Sequence, residues 1–194
     1  MFKLFLQSLR LTLVFTVLMG VAYPLVVTAL AQLAFCEKAH GSLVRRDGQV
    51  IGSALLAQKF ESPRYFWPRP SSCGFGAMPS GASNLGPTSS TLRSNVAARA
   101  AAFRAAHKLP DDASVPADMV FASGSGLDPH ISPQAARLQT GRVAAARGVD
   151  ENSIKALVES AIEPPQFNFL GEPRVNILLL NLRLESYAQP IHER

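Results

Sequence analysis

From residue 11 to residue 36 the chain has no charged side chain; Arg10 and Glu37 bracket 26 neutral, mostly apolar positions. As a helix rising about 1.5 Å per residue, this run would measure roughly 39 Å. The hydrocarbon core of a bilayer is about 30 Å thick, so the run can cross it with some tilt. The next most apolar stretch, 175–184, is interrupted by Asn176, Asn181 and Arg183. Cysteine is scarce as well: Cys36 and Cys73 are too few for a disulfide scaffold and lack metal-ligand spacing. Their pairing is left open by the sequence. Acidic residues are absent before Glu37, and the net charge of +5 comes from scattered basic residues with no run longer than Arg45-Arg46. Without a basic stripe or interleaved aromatics, a nucleic-acid partner is not indicated.

Catalytic signatures are also missing. No G-x-x-x-x-G-K-[ST] loop is present to cradle phosphates. Ser125 lacks the flanking glycines of a nucleophile elbow, and Ser83 has only one of them. His40, His107, His130 and His192 stand apart with no H-E-x-x-H pair, so no metal site is read. No aspartate sits in an Asp-Lys-Thr-Gly sequence, so the chain cannot form the phosphoenzyme of an ion pump. A membrane-anchored periplasmic enzyme remains a rival reading, resting on Ser125, Asp128 and His130. Asp128-Pro129-His130 reads better as a turn in which Asp128 accepts from loop amides.

What is present at the amino terminus is an anchor. Lys3 and Arg10 precede the apolar run and Ala29-Leu30-Ala31 fits a signal-peptidase site. However, about 18 apolar residues precede that site, beyond the roughly 7–15 of a signal core. A secreted binding protein released after Ala31 is therefore the second alternative. Ser8, Thr12, Thr16, Gly20, Pro24 and Thr28 recur every four residues and so share one helix face. Small and hydroxylated stripes of this kind let another membrane helix approach closely. Pro24 removes the bond to the Gly20 carbonyl and predicts a kink. The organisation is thus a short tail (1–10), a transmembrane helix (11–36) and a soluble α+β domain (37–194); so short a tail favours a cytoplasmic amino terminus, with the domain expected on the periplasmic side. Flanking charge alone, Lys3 and Arg10 against Lys38, Arg45 and Arg46, leaves orientation a near tie.

In the soluble part, alternation about Asp47-Gly48 predicts a hairpin over 42–51, leading into a helical stretch over 54–60. Residues 62–87 are rich in Ser, Gly and Pro, yet hold Tyr65, Phe66, Trp67 and Phe75, which predicts an ordered loop packed on something. A helix over 90–108 follows, with Leu92, Val96, Ala100 and Phe103 on one stripe. A short strand is predicted over 119–122. Ser132 as N-cap, Pro133 at the first helical position and Gly148 beyond the end predict a helix over 133–147. Asp150 caps the next, with an Ile154, Leu157, Val158 and Ala161 stripe. Residues 174–184 alternate and read as a strand.

Seven blocks in order carry a family likeness. They are Tyr23-Pro24 in the span; 47–53 with Gln58 and Phe60; Tyr65-Phe66 with Arg69-Pro70-Ser71; 80–87; 122–132; Gln139 with 142–144 and 146–148; and Gly171 with 174–176 and Asn181-Leu182. Together they resemble the C subunit of the Kdp-type potassium-transporting P-type ATPase. The resemblance implies a non-catalytic accessory subunit of a high-affinity potassium uptake pump in the bacterial inner membrane. Its partners would be an ATP-hydrolysing P-type subunit, a channel-like potassium-binding subunit and a very small membrane subunit. It also implies roles in assembly and as a catalytic chaperone raising ATP affinity, with ATP and potassium handled by the partners and no cofactor of its own. The nucleotide proposal for this family falls on Ser80, Gly81, Ser83 and Asn84, where Ala82 replaces a glycine. The surface expected to dock on the channel-like subunit comprises Arg64, Tyr65, Phe66, Arg69 and Pro70 with Ser123, Gly124, Ser125, Gly126, Asp128, Pro129 and His130. Thr12, Thr16, Gly20, Pro24 and Thr28 are the expected transmembrane packing residues.

Overall fold

A computed structural model describes residues 1–187; His192 lies outside the described residues. The chain divides into two compact units, one ending at Ser53 and the other beginning at Ala54.

The first unit opens with α1 (Phe2–Val17) and α2 (Tyr23–Ala34), joined by a π-helical turn, Leu18–Ala22. Pro24 has no N–H to give, and the irregularity it requires takes the form of this wider turn, in which the Tyr23 N–H donates to the Leu18 carbonyl. Together they form a 33-residue apolar helix, Phe2–Ala34, long enough to cross a membrane, with none of the residues in its most apolar stretch buried. Phe35 departs from helical geometry (φ −139°, ψ 45°), and a single turn, α3 (Cys36–Ala39), follows. The predicted hairpin is present as β1 (Leu43–Arg46) and β2 (Gln49–Ser53), antiparallel, with Asp47 (φ 51°) and Gly48 (φ 79°) at its tip. It belongs with the anchor unit, so the compact division falls at residue 53 rather than at 36.

The second unit is an α+β fold. Residues 54–60, expected to be helical, form turns and irregular chain. Ala57 there donates its N–H to the Leu127 carbonyl at 2.8 Å, a bond that a helix would have kept for itself. Helix α4 (Ser90–His107) is capped by Ser89 and ends at Lys108 in the left-handed region. A single turn, α5 (Ala117–Val120), stands where a strand was predicted; it brings Met119 and Val120 into the interior from positions an extended chain would set on opposite faces. Strand β3 (His130–Ile131) precedes α6 (Pro133–Arg147) and α7 (Glu151–Ser160), both with the caps expected of Ser132, Gly148 and Asp150. Strands β4 (Ile162–Glu163) and β5 (Arg174–Asn176) complete a small antiparallel sheet in the order β3-β5-β4.

Beyond Asn176 the predicted strand gives way to a helix, α8 (Ile177–Tyr187). The Asn176 side chain accepts from the Leu179 N–H at 3.2 Å and starts it. Ile177, Leu180, Asn181 and Leu184 are buried at helical spacing. Their ring of neighbours includes Phe66, Phe103, Val143, Ile154 and Val158, the centre of the core.

Candidate functional site

The loop 62–75 has no ladder partner, so its backbone must be satisfied in another way. Side chains of α6 and α8 supply the bonds. Arg142 donates through Nη1 to the Pro63 carbonyl (2.6 Å) and through Nη2 to that of Tyr65 (3.0 Å). Arg147 Nε donates to the Arg64 carbonyl at 2.7 Å. Asn181 grips Phe66 on both sides, accepting its N–H at 2.9 Å and donating to its carbonyl at 3.0 Å. Gln139 does the same for Trp67, at 2.7 and 3.2 Å. Every carbonyl from 63 to 67 is therefore held by a side chain. The Arg142 guanidinium also lies 4.0 Å from the centre of the Trp67 ring, and the Arg147 guanidinium 5.1 Å from that of Tyr65.

The electrostatics of this clamp follow from burial. Arg142 has no carboxylate partner among the described residues, and burial lowers its pKa to about 10, still a cation at neutral pH. His107 completes its contacts: Nδ1–H donates to the Phe103 carbonyl (2.7 Å), leaving Nε2 to accept from Arg142 Nε (3.0 Å). Burial, with the adjacent Arg142 charge, lowers the His107 pKa from an ordinary 6.5 to about 4. Arg147 pairs with Glu185 at 2.7 Å while its side chain is 2% exposed.

The second loop, 123–132, meets the first. Ser123 N–H donates to the Pro70 carbonyl at 3.3 Å, and Arg69 Nη1 to Asp128 Oδ2 at 2.7 Å. Asp128 Oδ1 accepts the His130 N–H at 3.0 Å, the turn expected of Asp-Pro-His. Burial works against ionising Asp128, but the bonds from His130 and the Arg69 charge outweigh it and hold its pKa at about 2. A Cβ on Gly126 (φ 71°) would stand 2.5 Å from Cys73 Sγ and 3.0 Å from the Gly81 carbonyl, so only glycine fits where the loops cross. A polar recess of about 450 Å³ opens here, lined by Arg69, Asp118, Asp128, His130, Ser132, Glu172 and Arg174 among others.

The two loops expected to share a docking surface do come together, but not all their residues face outward. Phe66 and Ser123 are buried, as are Gly126 and Pro129, so they build the loops rather than meet a partner. Arg69, expected to be exposed, is a half-buried ion-pair member, whereas Arg64, Gly124 and Ser125 are exposed. Ser125 Oγ accepts from the Leu127 N–H, and no hydrogen bond joins it to His130 among the described residues, so the three candidates of the enzyme reading form no relay. Ser80, Gly81 and Asn84 line a separate recess of about 410 Å³ whose lining includes no basic side chain, while Ser83 is exposed outside it. Gln139, Arg142, Arg147 and Asn181 were not singled out as a site. They were quoted only within the family likeness, and the available clue to a role was polar side chains set among apolar ones in 139–147 and 175–184.

Acid titration should report the clamp. The unfolded chain takes up a proton on His107 near pH 6.5, whereas the folded one waits until about 4. Stability is therefore complete above 6.5 and falls as pH drops from 6.5 to 4. Asp128 adds a second loss between its ordinary 3.8 and about 2. Urea midpoints measured across this range should show the first decline flattened in His107→Gln and retained in a variant of exposed His40.

A family profile described as "KdpC: K+-transporting ATPase, c chain" matches residues 5–186. The chain is 55% identical over 186 residues to a protein of Rhodospirillum rubrum, covering 93% of this chain and 96% of the relative. It is 53% identical over 182 residues to one of Sorangium cellulosum (92% and 95%) and 50% identical over 182 residues to one of Mycobacterium bovis (93% and 96%). Each relative bears the name "Potassium-transporting ATPase KdpC subunit".

Proposed function

Because this chain belongs to the KdpC family, the c chains of K+-transporting ATPases, we propose that it is a non-catalytic accessory subunit, anchored in the inner membrane by one helix with its second unit in the periplasm. It holds together a high-affinity potassium uptake pump in which an ATP-hydrolysing P-type subunit and a channel-like subunit, with a very small membrane subunit, handle ATP and potassium. The observation that carries this reading is the helix Phe2–Ala34, which is apolar and unburied. Such a surface needs lipid and partner helices to cover it. Apart from the adjacent backbone of its own helix, nothing lies within 4 Å of where a Cβ on Gly20 would stand, which leaves space on the stripe of Thr12, Thr16, Pro24 and Thr28 for a neighbouring helix.

An effect on ATP affinity, if exerted as a catalytic chaperone, then travels through packed helices rather than by nucleotide contact. A periplasmic unit does not meet cytoplasmic ATP, and the recess holding Ser80, Gly81 and Asn84 offers no cation for a triphosphate. The test is co-purification in mild detergent. The native chain should retain its first 31 residues and bring down a large ATP-hydrolysing subunit. Gly20→Leu and Thr16→Leu should reduce that recovery about tenfold or more while leaving insertion unchanged, since leucine favours the bilayer. A mature chain cleaved after Ala31, or recovered without any pump subunit, overturns the reading.

A further inference from the structure

Between β4 and β5 the chain closes into a small knuckle. Gln166 and Leu170 exchange both backbone bonds at 2.9 Å, and Asn168 N–H donates to the Pro165 carbonyl at 3.0 Å. The knuckle is thus pinned by its own backbone, yet its side chains are apolar and outside: Phe167 is 80% exposed, Phe169 74% and Leu170 50%. The two rings stand 6.4 Å apart. Phe167 (φ 53°) and Asn168 (φ 64°) are both left-handed, a conformation that bulky residues rarely adopt. A strained turn that displays two aromatics to solvent gains nothing for the fold and points to an interface.

The charges beside it indicate what covers it. Glu163 is paired with Arg174 at 3.0 Å, whereas Glu172 has no ion-pair partner among the described residues. No Lys, Arg, Trp or Tyr lies between Glu163 and Arg174. Segments that rest on membranes are rich in those residues, and anionic lipid repels a carboxylate. A protein surface with an apolar socket and a cationic rim fits both features. Glu172 and Arg174 also line the polar recess beside Asp128 and His130, so the knuckle borders the expected docking face.

We propose that the knuckle carrying Phe167 and Phe169 plugs into an apolar, cation-rimmed socket on another protein subunit of the pump. This rests on the chain being a pump subunit. The test uses the full-length chain expressed with the whole complex. Benzoylphenylalanine in place of Phe169, irradiated in intact membranes, should form an adduct with a subunit of the complex, at a segment of apolar residues flanked by Lys or Arg. The double substitution Phe167→Ser, Phe169→Ser should weaken retention in the detergent-purified complex by about 30-fold. Its folding transition should stay at the wild-type value, because neither ring lies in the core. Adducts with lipid alone, or a double variant retained like wild type, overturn the proposal while leaving the pump-subunit reading intact. A wild-type chain that purifies without any other subunit removes both.

Discussion

Arg142→Ala should lower the unfolding midpoint of the unit beginning at Ala54 by roughly 6–12 °C, the fall expected when a domain of this size loses about 3 kcal/mol. The estimate follows from what the guanidinium holds. It bonds the carbonyls of Pro63 and Tyr65, Gln139 Oε1 and His107 Nε2, and it covers the Trp67 ring. Bonds to a charged donor contribute about 1.5–3 kcal/mol each, and some of the released acceptors recover water because the site is only half-buried. Arg142→Lys should restore little of the loss, since an ammonium cannot span four acceptors lying in different directions or stack flat on indole. Arg64→Ala, at an exposed side chain, is the control and should move the midpoint by no more than about 1 °C. Differential scanning calorimetry of the detergent-solubilised chain separates these outcomes. A small effect of Arg142→Ala would mean that the 63–67 segment is held by its own packing and not by the clamp.

Asn181→Leu should be as damaging for a different reason. Leucine fits the apolar surroundings of α8, but it leaves the N–H and carbonyl of Phe66 unsatisfied in a fully buried place. Each orphaned group costs about 1–3 kcal/mol, so the two together give a loss on the order of 2–6 kcal/mol. Asn181→Asp discriminates the hydrogen-bond account from simple loss of volume. At neutral pH its carboxylate would accept from the Phe66 N–H but face the Phe66 carbonyl with negative charge. On acidification the protonated acid can donate to that carbonyl, so this variant should gain stability relative to wild type as pH falls, whereas Asn181→Leu should not. Urea unfolding of both variants at neutral and mildly acidic pH measures the difference.

Local chemistry made much of this fold readable in advance. The boundaries of α6 follow from Ser132, Pro133 and Gly148, and those of the hairpin from Asp47-Gly48, because each rule acts within a few residues. The segment after Arg174 was misread for a physical reason as well. Leu178, Leu180, Leu182 and Leu184 alternate like a strand, while the competing helical set of Ile177, Leu180, Asn181 and Leu184 was hidden by an apolar neighbour at almost every position. Only Asn176, a side chain suited to starting a helix, marked the change. The candidate site was legible as two loops sharing a surface, but the contacts that join them were not. The Arg69–Asp128 pair links residues 59 apart in the chain, and the grip of Gln139 on Trp67 spans 72. No pattern within a window of residues reports such partners. It also meant that Phe66, an aromatic in a loop, was expected to dock on a partner when it anchors the core.

The reliance of the 63–67 segment on distant side chains has a temporal consequence. Phe66 and Asn181 are separated by 115 residues, so at about 5–20 residues per second the ribosome needs roughly 6–23 s to make the second after the first. Throughout that interval Phe66 lacks α8, and until Arg147 is made Phe66 and Trp67 lack α6 as well, so these aromatics first emerge as bare chain. The amino-terminal helix, complete at Ala34, is available for membrane insertion long before. Biosynthesis therefore passes through an incomplete polypeptide whose aromatic segment waits on α8, and this is the interval in which that segment is most exposed to misassembly.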